Sequence, residues 1–372
     1  MDMFSSVTRP TLLLDRERVM RNIAFMAGKA RDHGLIFRPH FKTHQSQEAG
    51  SWFRDFGVHC ITVSSVTMAA YFASAGWNDI TIAFPVNPRE LDRIAELNDR
   101  IRLHLLLSHP GMAEAVHRKM NRPVGIFLEL DTGDRRSGFD AGKPEIMEKE
   151  LKNISQHAHL RFAGFLTHAG RTYRARNPEE VLSLHSESLA RLAIIREKFL
   201  GNRPEAIISL GDTPACSLAK DFAGADEMRP GNFVFYDLMQ EQTGACREEQ
   251  VAVRLACPVV ARYPERNEVV VYGGAIHLSK EYLAEENGRI HYGKVSPEKQ
   301  GLFGPSLPGA FVDRLSQEHG IIRLPENHRD AFPVGSLAGI LPVHSCLTAD
   351  CMKGYVGTDG RRLDHLQGNV YI

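Results

Sequence analysis

From residue 35 to about residue 236, short apolar, β-branched runs alternate with longer amphipathic stretches. The runs are LIFRP (35–39), CITVS (60–64), DITIAF (79–84), IRLHLLL (101–107), VGIFLEL (124–130), RFAGFLT (161–167), AIISL (206–210) and EMRPGNFVFY (227–236). Strands that alternate with helices imply a parallel sheet covered by helices. Eight such runs are the number that closes a (β/α)₈ barrel. A doubly wound open sheet more often carries a glycine fingerprint after its first strand, and none follows LIFRP.

The intervening segments read as helices. In 178–199, Pro178 stands where a first helical residue often does, and Val181, Leu184, Leu189, Leu192 and Ile195 follow helical spacing. Asp15 is a candidate N-cap for a helix over 16–31. After residue 245 the character changes: VAVRLACPVVARYP and NEVVVYGGAIHLS are β-rich, and glycine and proline clusters follow. The expected organisation is an α/β TIM-type barrel over 16–244 and a mainly β domain built from 1–15 plus 245–372.

Acidic and basic residues balance at 45 each among 372 residues, so no charge signature points to nucleic acid or an anionic membrane. No apolar run approaches the ~20 residues of a membrane helix, and six cysteines are too sparse for a disulfide framework. MDMFSSVTRPTLLLD lacks the pattern of a signal peptide. These features lead to the expectation of a cytoplasmic protein.

A barrel gathers its functional groups at the C-terminal ends of the strands. Those ends carry Lys42 in FRPHFKTH, DTGDRRSGF, His168 and Tyr173 in THAGRTY, LGDTPAC, and RPGN. The last two follow strands seven and eight, the usual phosphate position of a barrel. Glycine there lets backbone N–H groups approach an anion, and GDT adds side-chain oxygens. Either glycine loop alone could be an ordinary turn. Beside a lysine they point to pyridoxal phosphate, which needs an amine and a phosphate cradle. His40 and His44 flank the lysine and could tune it or simply fill the strand end.

In order along nearly the whole chain, RPHFKTH with TRPTLLLD before it, DTGDRRSG, THAGRTY, GDTPAC and EMRPGN resemble the segments of the D-serine dehydratase and D-threonine aldolase family. These are fold-type III pyridoxal-phosphate enzymes related to alanine racemase. The resemblance implies that Lys42 is the Schiff-base lysine, and that Arg136, His168 and Tyr173 surround the cofactor ring. It also implies that Gly211, Asp212, Thr213, Gly231 and Asn232 hold the phosphate.

His344 and Cys346 in PVHSCLTADC are two apart, a spacing that puts both on one face of an extended strand. Imidazole and thiolate together can hold zinc, though ordinary strand residues have the same spacing. The resembled dehydratases carry this H-x-C pair and bind zinc. The resemblance therefore implies a zinc-dependent homodimer that eliminates water from D-3-hydroxy amino acids such as D-serine, leaving a keto acid and ammonia. Retro-aldol cleavage, racemisation and a cofactor carrier without turnover remain as alternatives.

Overall fold

The computed structural model describes residues 3–285, 287–299 and 301–368. Parallel strands form around one axis: β2 (Ile36–Phe37), β3 (Ile61–Val63), β4 (Asp79–Pro85), β5 (Arg102–Leu107), β6 (Val124–Asp131), β8 (Leu160–Thr167), β9 (Ile207–Leu210) and β10 (Glu227–Met228). A two-residue strand, β7 (Phe139–Asp140), pairs beside β6, and β1 (Thr11–Leu14) precedes the set. The sheet order is β2-β10-β9-β8-β6-β5-β4-β3. Its two ends meet through a parallel bridge between His40 and Thr62, so the eight strands close. Strand ends differ from the sequence expectation in the first and last runs, which form the neighbouring strands β2 and β10. Pro39 lacks an N–H and the first run ends as a strand after Phe37; the last run ends after Met228, ahead of Pro230, and Asn232–Val234 turn into a 3₁₀ helix.

The helices cover the barrel for the reasons their sequences imply. Asp15 accepts the Arg18 N–H at 3.0 Å and starts the helix Arg16–Asp32, which buries Val19, Ile23, Met26 and Ala30 at helical spacing. Asn177 caps Pro178–Leu200 in the same way.

Beyond the barrel, β11 (Val253–Tyr263) and β12 (Glu268–Tyr272) join four further strands, His319–Arg323, Phe311–Leu315, Gly293–Lys299 and Leu337–Pro342, in an antiparallel ring. β1 pairs antiparallel with β11, from Thr11 opposite Ala256 to Leu14 opposite Val253, and parallel with Tyr355–Gly357. A contiguous buried core runs from Leu12 and Val19 through the barrel to Val253, Val312 and Ile340. Among the described residues, no helix is long and apolar enough to cross a membrane.

Candidate active site

A cavity of about 510 Å³ opens where the loops after the barrel strands meet the turn that follows Leu337–Pro342. Every residue singled out from the sequence lines it except His44 and Thr213, the latter the first residue of the helix Thr213–Leu218. A larger cavity of about 730 Å³ lies at the other end of the barrel, around Arg38 and Asp79. There Arg38 pairs with Asp79 at 2.5 Å and Glu227 at 2.6 Å.

Lys42 sits in the turn after β2. Its side chain is open to the cavity, yet protein surrounds it on the other sides, so a small molecule can reach it while bulk water is largely kept away. That burial lowers its pKa, with the cations of Arg136 and Arg229 acting in the same direction and Cys346 opposing. The backbone N–H of Lys42 donates to His40 Nδ1 at 3.3 Å, and burial followed by the Lys42 charge drives the His40 pKa well down. The lowered Lys42 pKa favours a neutral amine.

His168 Nδ1 donates to the Gly211 carbonyl at 2.7 Å, which fixes the tautomer and leaves Nε2 with a free lone pair. Burial, then Lys42 and Arg136, push the imidazole down to about 3. The Tyr173 ring lies 5.7 Å from that of His168, and its hydroxyl oxygen accepts the Thr213 N–H at 3.1 Å. Arg136 reaches the rim with its side chain 57% exposed, 3.8 Å from Glu129.

The phosphate-segment residues divide into two kinds. Gly211 and Gly231 are places of close approach: a Cβ on the first would stand 2.7 Å from the Arg229 carbonyl carbon, and on the second 2.9 Å from the His40 carbonyl oxygen. They let the segments after β2, β9 and β10 converge on one small volume. The side chains of Asp212, Thr213 and Asn232 each have a protein partner. Asp212 caps its helix, accepting from Ala215 N–H at 2.8 Å and the Thr172 hydroxyl at 2.7 Å. The Thr213 hydroxyl accepts the Phe233 N–H at 3.2 Å. The Asn232 amide donates to Asp237 at 2.6 Å, and its Oδ1 is buried without a partner.

His344 and Cys346 do not share a strand. The strand ends at Pro342, His344 is the N-cap position, and Cys346 lies in the first turn of the helix Ser345–Met352. The Ser345 N–H and hydroxyl both reach the buried Asp237 carboxylate, at 2.9 and 3.2 Å, and this long-range anchor fastens the chain where it enters the helix. A helix N-terminus favours a thiolate. Burial opposes charge on both residues, but the two partners outweigh it: His344 is pushed up to about 9 and the Cys346 thiol is pushed down. His344 Nδ1 is buried without a hydrogen-bond partner. An imidazole nitrogen with a thiolate suits zinc. Among the described residues no group of three or more His, Cys, Asp or Glu is arranged to hold a metal, so a metal here would keep positions open for other ligands.

Two charged lining residues were not singled out from the sequence. Arg229 is buried, donating to the Ser209 hydroxyl at 2.5 Å and the Thr167 carbonyl at 2.6 Å. Glu129 is buried and accepts from Ser137 at 2.9 Å and from Ser108. The one legible signal was the lone charge of Glu129 in the otherwise apolar run VGIFLEL; Arg229 shares its run with Glu227.

Residues 14–238 match the family described as alanine racemase, N-terminal domain, and residues 252–358 match a putative serine dehydratase domain. D-threo-3-hydroxyaspartate dehydratase of Delftia sp. is 29% identical over 365 residues, 95% of each chain. D-serine dehydratase of Dictyostelium discoideum is 26% identical over 400 residues, covering 100% of this chain and 98% of that one. The Delftia enzyme's structure superposes with a TM-score of 0.90 at 28% identity, over 99% of this chain and all of that one. A variant of it with a cysteine replaced by alanine is described in a metal-free form. D-threonine aldolase of Filomicrobium marinum shares the fold, with a TM-score of 0.83 at 21% identity over 97% of this chain and 96% of that one. The chain thus belongs to the alanine racemase N-terminal domain family, its barrel of that type joined to a C-terminal region that matches a putative serine dehydratase domain.

Proposed function

We propose that the protein is a pyridoxal-phosphate- and zinc-dependent dehydratase that converts D-3-hydroxy amino acids such as D-serine to a keto acid and ammonia. The observation that carries this reading is that Lys42 and the His344–Cys346 pair line the same cavity. In this reading the barrel segment 16–244 supplies the cofactor residues, 1–15 plus 245–372 supplies the metal pair, and the working form is a cytoplasmic homodimer.

Lys42 is the residue that joins the cofactor and takes the Cα proton, and its lowered pKa favours the base form. Pyridoxal phosphate, bound there, supplies the conjugated system that stabilises negative charge at Cα. Zinc between His344 and Cys346 supplies a Lewis acid for the departing hydroxide, a poor leaving group without one. Neutral His168 presents an acceptor through Nε2, and Tyr173 remains protonated because burial raises its pKa. Arg136 and Arg229 add positive charge that opposes protonation of Lys42.

The test is a panel of D-3-hydroxy amino acids assayed for ammonia and keto acid, with zinc added or chelated. Zinc-dependent ammonia release from D-substrates supports the reading. Glycine and an aldehyde as main products would replace it with an aldolase, and interconversion of enantiomers without net loss with a racemase.

A further inference from the structure

The turn that carries Lys42 is held by residues more than 300 positions away in sequence. Asp364, just past the strand Arg362–Leu363, gathers four donors on one carboxylate. They are the Ser46 hydroxyl at 2.7 Å, the Gln47 N–H at 2.8 Å, the Glu48 N–H at 3.1 Å and the Tyr71 hydroxyl. Three of the four come from the N-cap and first turn of the helix Gln47–Ser51, the next element after Lys42.

Neighbouring contacts extend the hold toward the lysine. The Tyr355 hydroxyl donates to the His44 carbonyl at 2.5 Å, and the Leu366 N–H to the Gln45 carbonyl at 2.7 Å. The Gln45 amide donates to Asp350 at 3.2 Å. His44, Gln45 and Ser46 are therefore each tied to the segment 350–366. Gln45 has a φ of 46°, in the left-handed region that non-glycine residues seldom occupy. Within the turn, the Gln45 N–H reaches the Phe41 carbonyl and the Ser46 N–H reaches His44 Nδ1, both at 3.1 Å. Those local bonds do not by themselves demand a left-handed residue at 45; the outside anchors hold it there.

We propose that Asp364 is a positioning residue for Lys42, clamping the C-terminal segment onto the turn that follows the lysine and so fixing the direction in which the amine enters the cavity. This rests on Lys42 being the cofactor lysine. Asp364 does not line the cavity and reaches the lysine turn through the Ser46 hydroxyl and the N–H groups of Gln47 and Glu48. Its carboxylate is kept ionised because the donors of Tyr71, Ser46, Gln47 and Glu48 outweigh the cost of its partial burial.

The experiment uses the full-length chain stripped of cofactor and resupplied with pyridoxal phosphate. Growth of the visible absorbance band and borohydride trapping on the Lys42 peptide are followed. Asp364→Asn keeps the size but turns one acceptor into a donor that faces backbone N–H groups. It should slow band formation about 10- to 100-fold, the scale of a misplaced reacting group, with zinc content unchanged. Asp364→Glu should recover part of the loss, and Tyr71→Phe, a milder change, should fall between Asp364→Asn and wild type. Val312→Ala, a core truncation in the C-terminal sheet, serves as the stability control and should lower Tm without slowing the band. Band formation in Asp364→Asn equal to wild type, or no slower than in Val312→Ala at matched loss of Tm, would overturn the proposal while leaving Lys42 as the cofactor lysine. Wild-type trapping on a different lysine would overturn the functional reading and this proposal with it.

Discussion

The sulfur of Cys346 lies 3.3 Å from the hydroxyl of Thr43, the residue directly after Lys42. The Asn232 amide approaches the same sulfur at 3.4 Å from the other side. The metal-type pair therefore packs against both the lysine turn and a segment after β10, and one change can separate their roles.

Cys346→Ala should lose the bound zinc and its elimination activity yet still join pyridoxal phosphate at Lys42. Metal content by atomic spectroscopy, read beside the visible band, checks this. Chelation of the wild type should give the same pattern without unfolding, because with only two protein ligands the metal is not what holds the fold together. Undiminished elimination in a zinc-free Cys346→Ala protein would remove the metal from the mechanism.

Lys42→Ala should abolish borohydride-stable labelling and lower turnover by at least ~10²–10⁴-fold, the usual contribution of a positioned proton-transfer group. Peptide mapping of the labelled wild type locates the modified lysine.

Arg136→Leu should move the acid limb of the pH–rate profile upward. Burial is the first cause of the lowered Lys42 pKa and Arg136 the largest of the cations that add to it. Without that charge the amine protonates at higher pH and the base form is lost sooner as pH falls. The shift should be small, because Arg136 is largely exposed and solvent screens it.

Gly211→Ala should weaken cofactor affinity and lower stability by about 1–3 kcal/mol, the range for overpacking. The new Cβ would meet the backbone of Arg229, with its carbonyl carbon at 2.7 Å, and no flexible side chain can yield. Thermal melts and cofactor titration read the two effects.

Acid should destabilise the protein through His44. Burial pushes this imidazole down to about 3, against Asp364, which favours its charge. Between an unfolded value near 6.5 and about 3, the unfolded chain binds a proton that the folded chain refuses. Stability therefore falls with pH through that window, by about 1.4 kcal/mol per unit for this group. His44→Gln, which cannot titrate, should reduce the slope of stability against pH in denaturant titrations.

The barrel was legible because its signal is local. Strand runs such as VGIFLEL and the helix from Pro178 carry their period within a dozen residues, and eight of them imply closure. Lys42, His168 and the two glycine segments could be placed on one rim because strand direction decides which loops face the same way. Other assignments depended on partners no local pattern reveals. The H-x-C spacing looked like one strand face, but Asp237 anchors Ser345 at the start of a helix and the pair meets across its first turn. Asp212 reads as part of the phosphate segment, and only the structure adds that its carboxylate caps a helix, accepting from the Thr172 hydroxyl and the Ala215 N–H. Asp364 could not be found from sequence at all, since its partners stand more than 290 residues away. Periodicity and strand order are properties of neighbours along the chain, and the sequence determined those. Which polar groups are left free for chemistry depends on which others are consumed by burial and capping, and only the folded packing of distant segments decided that.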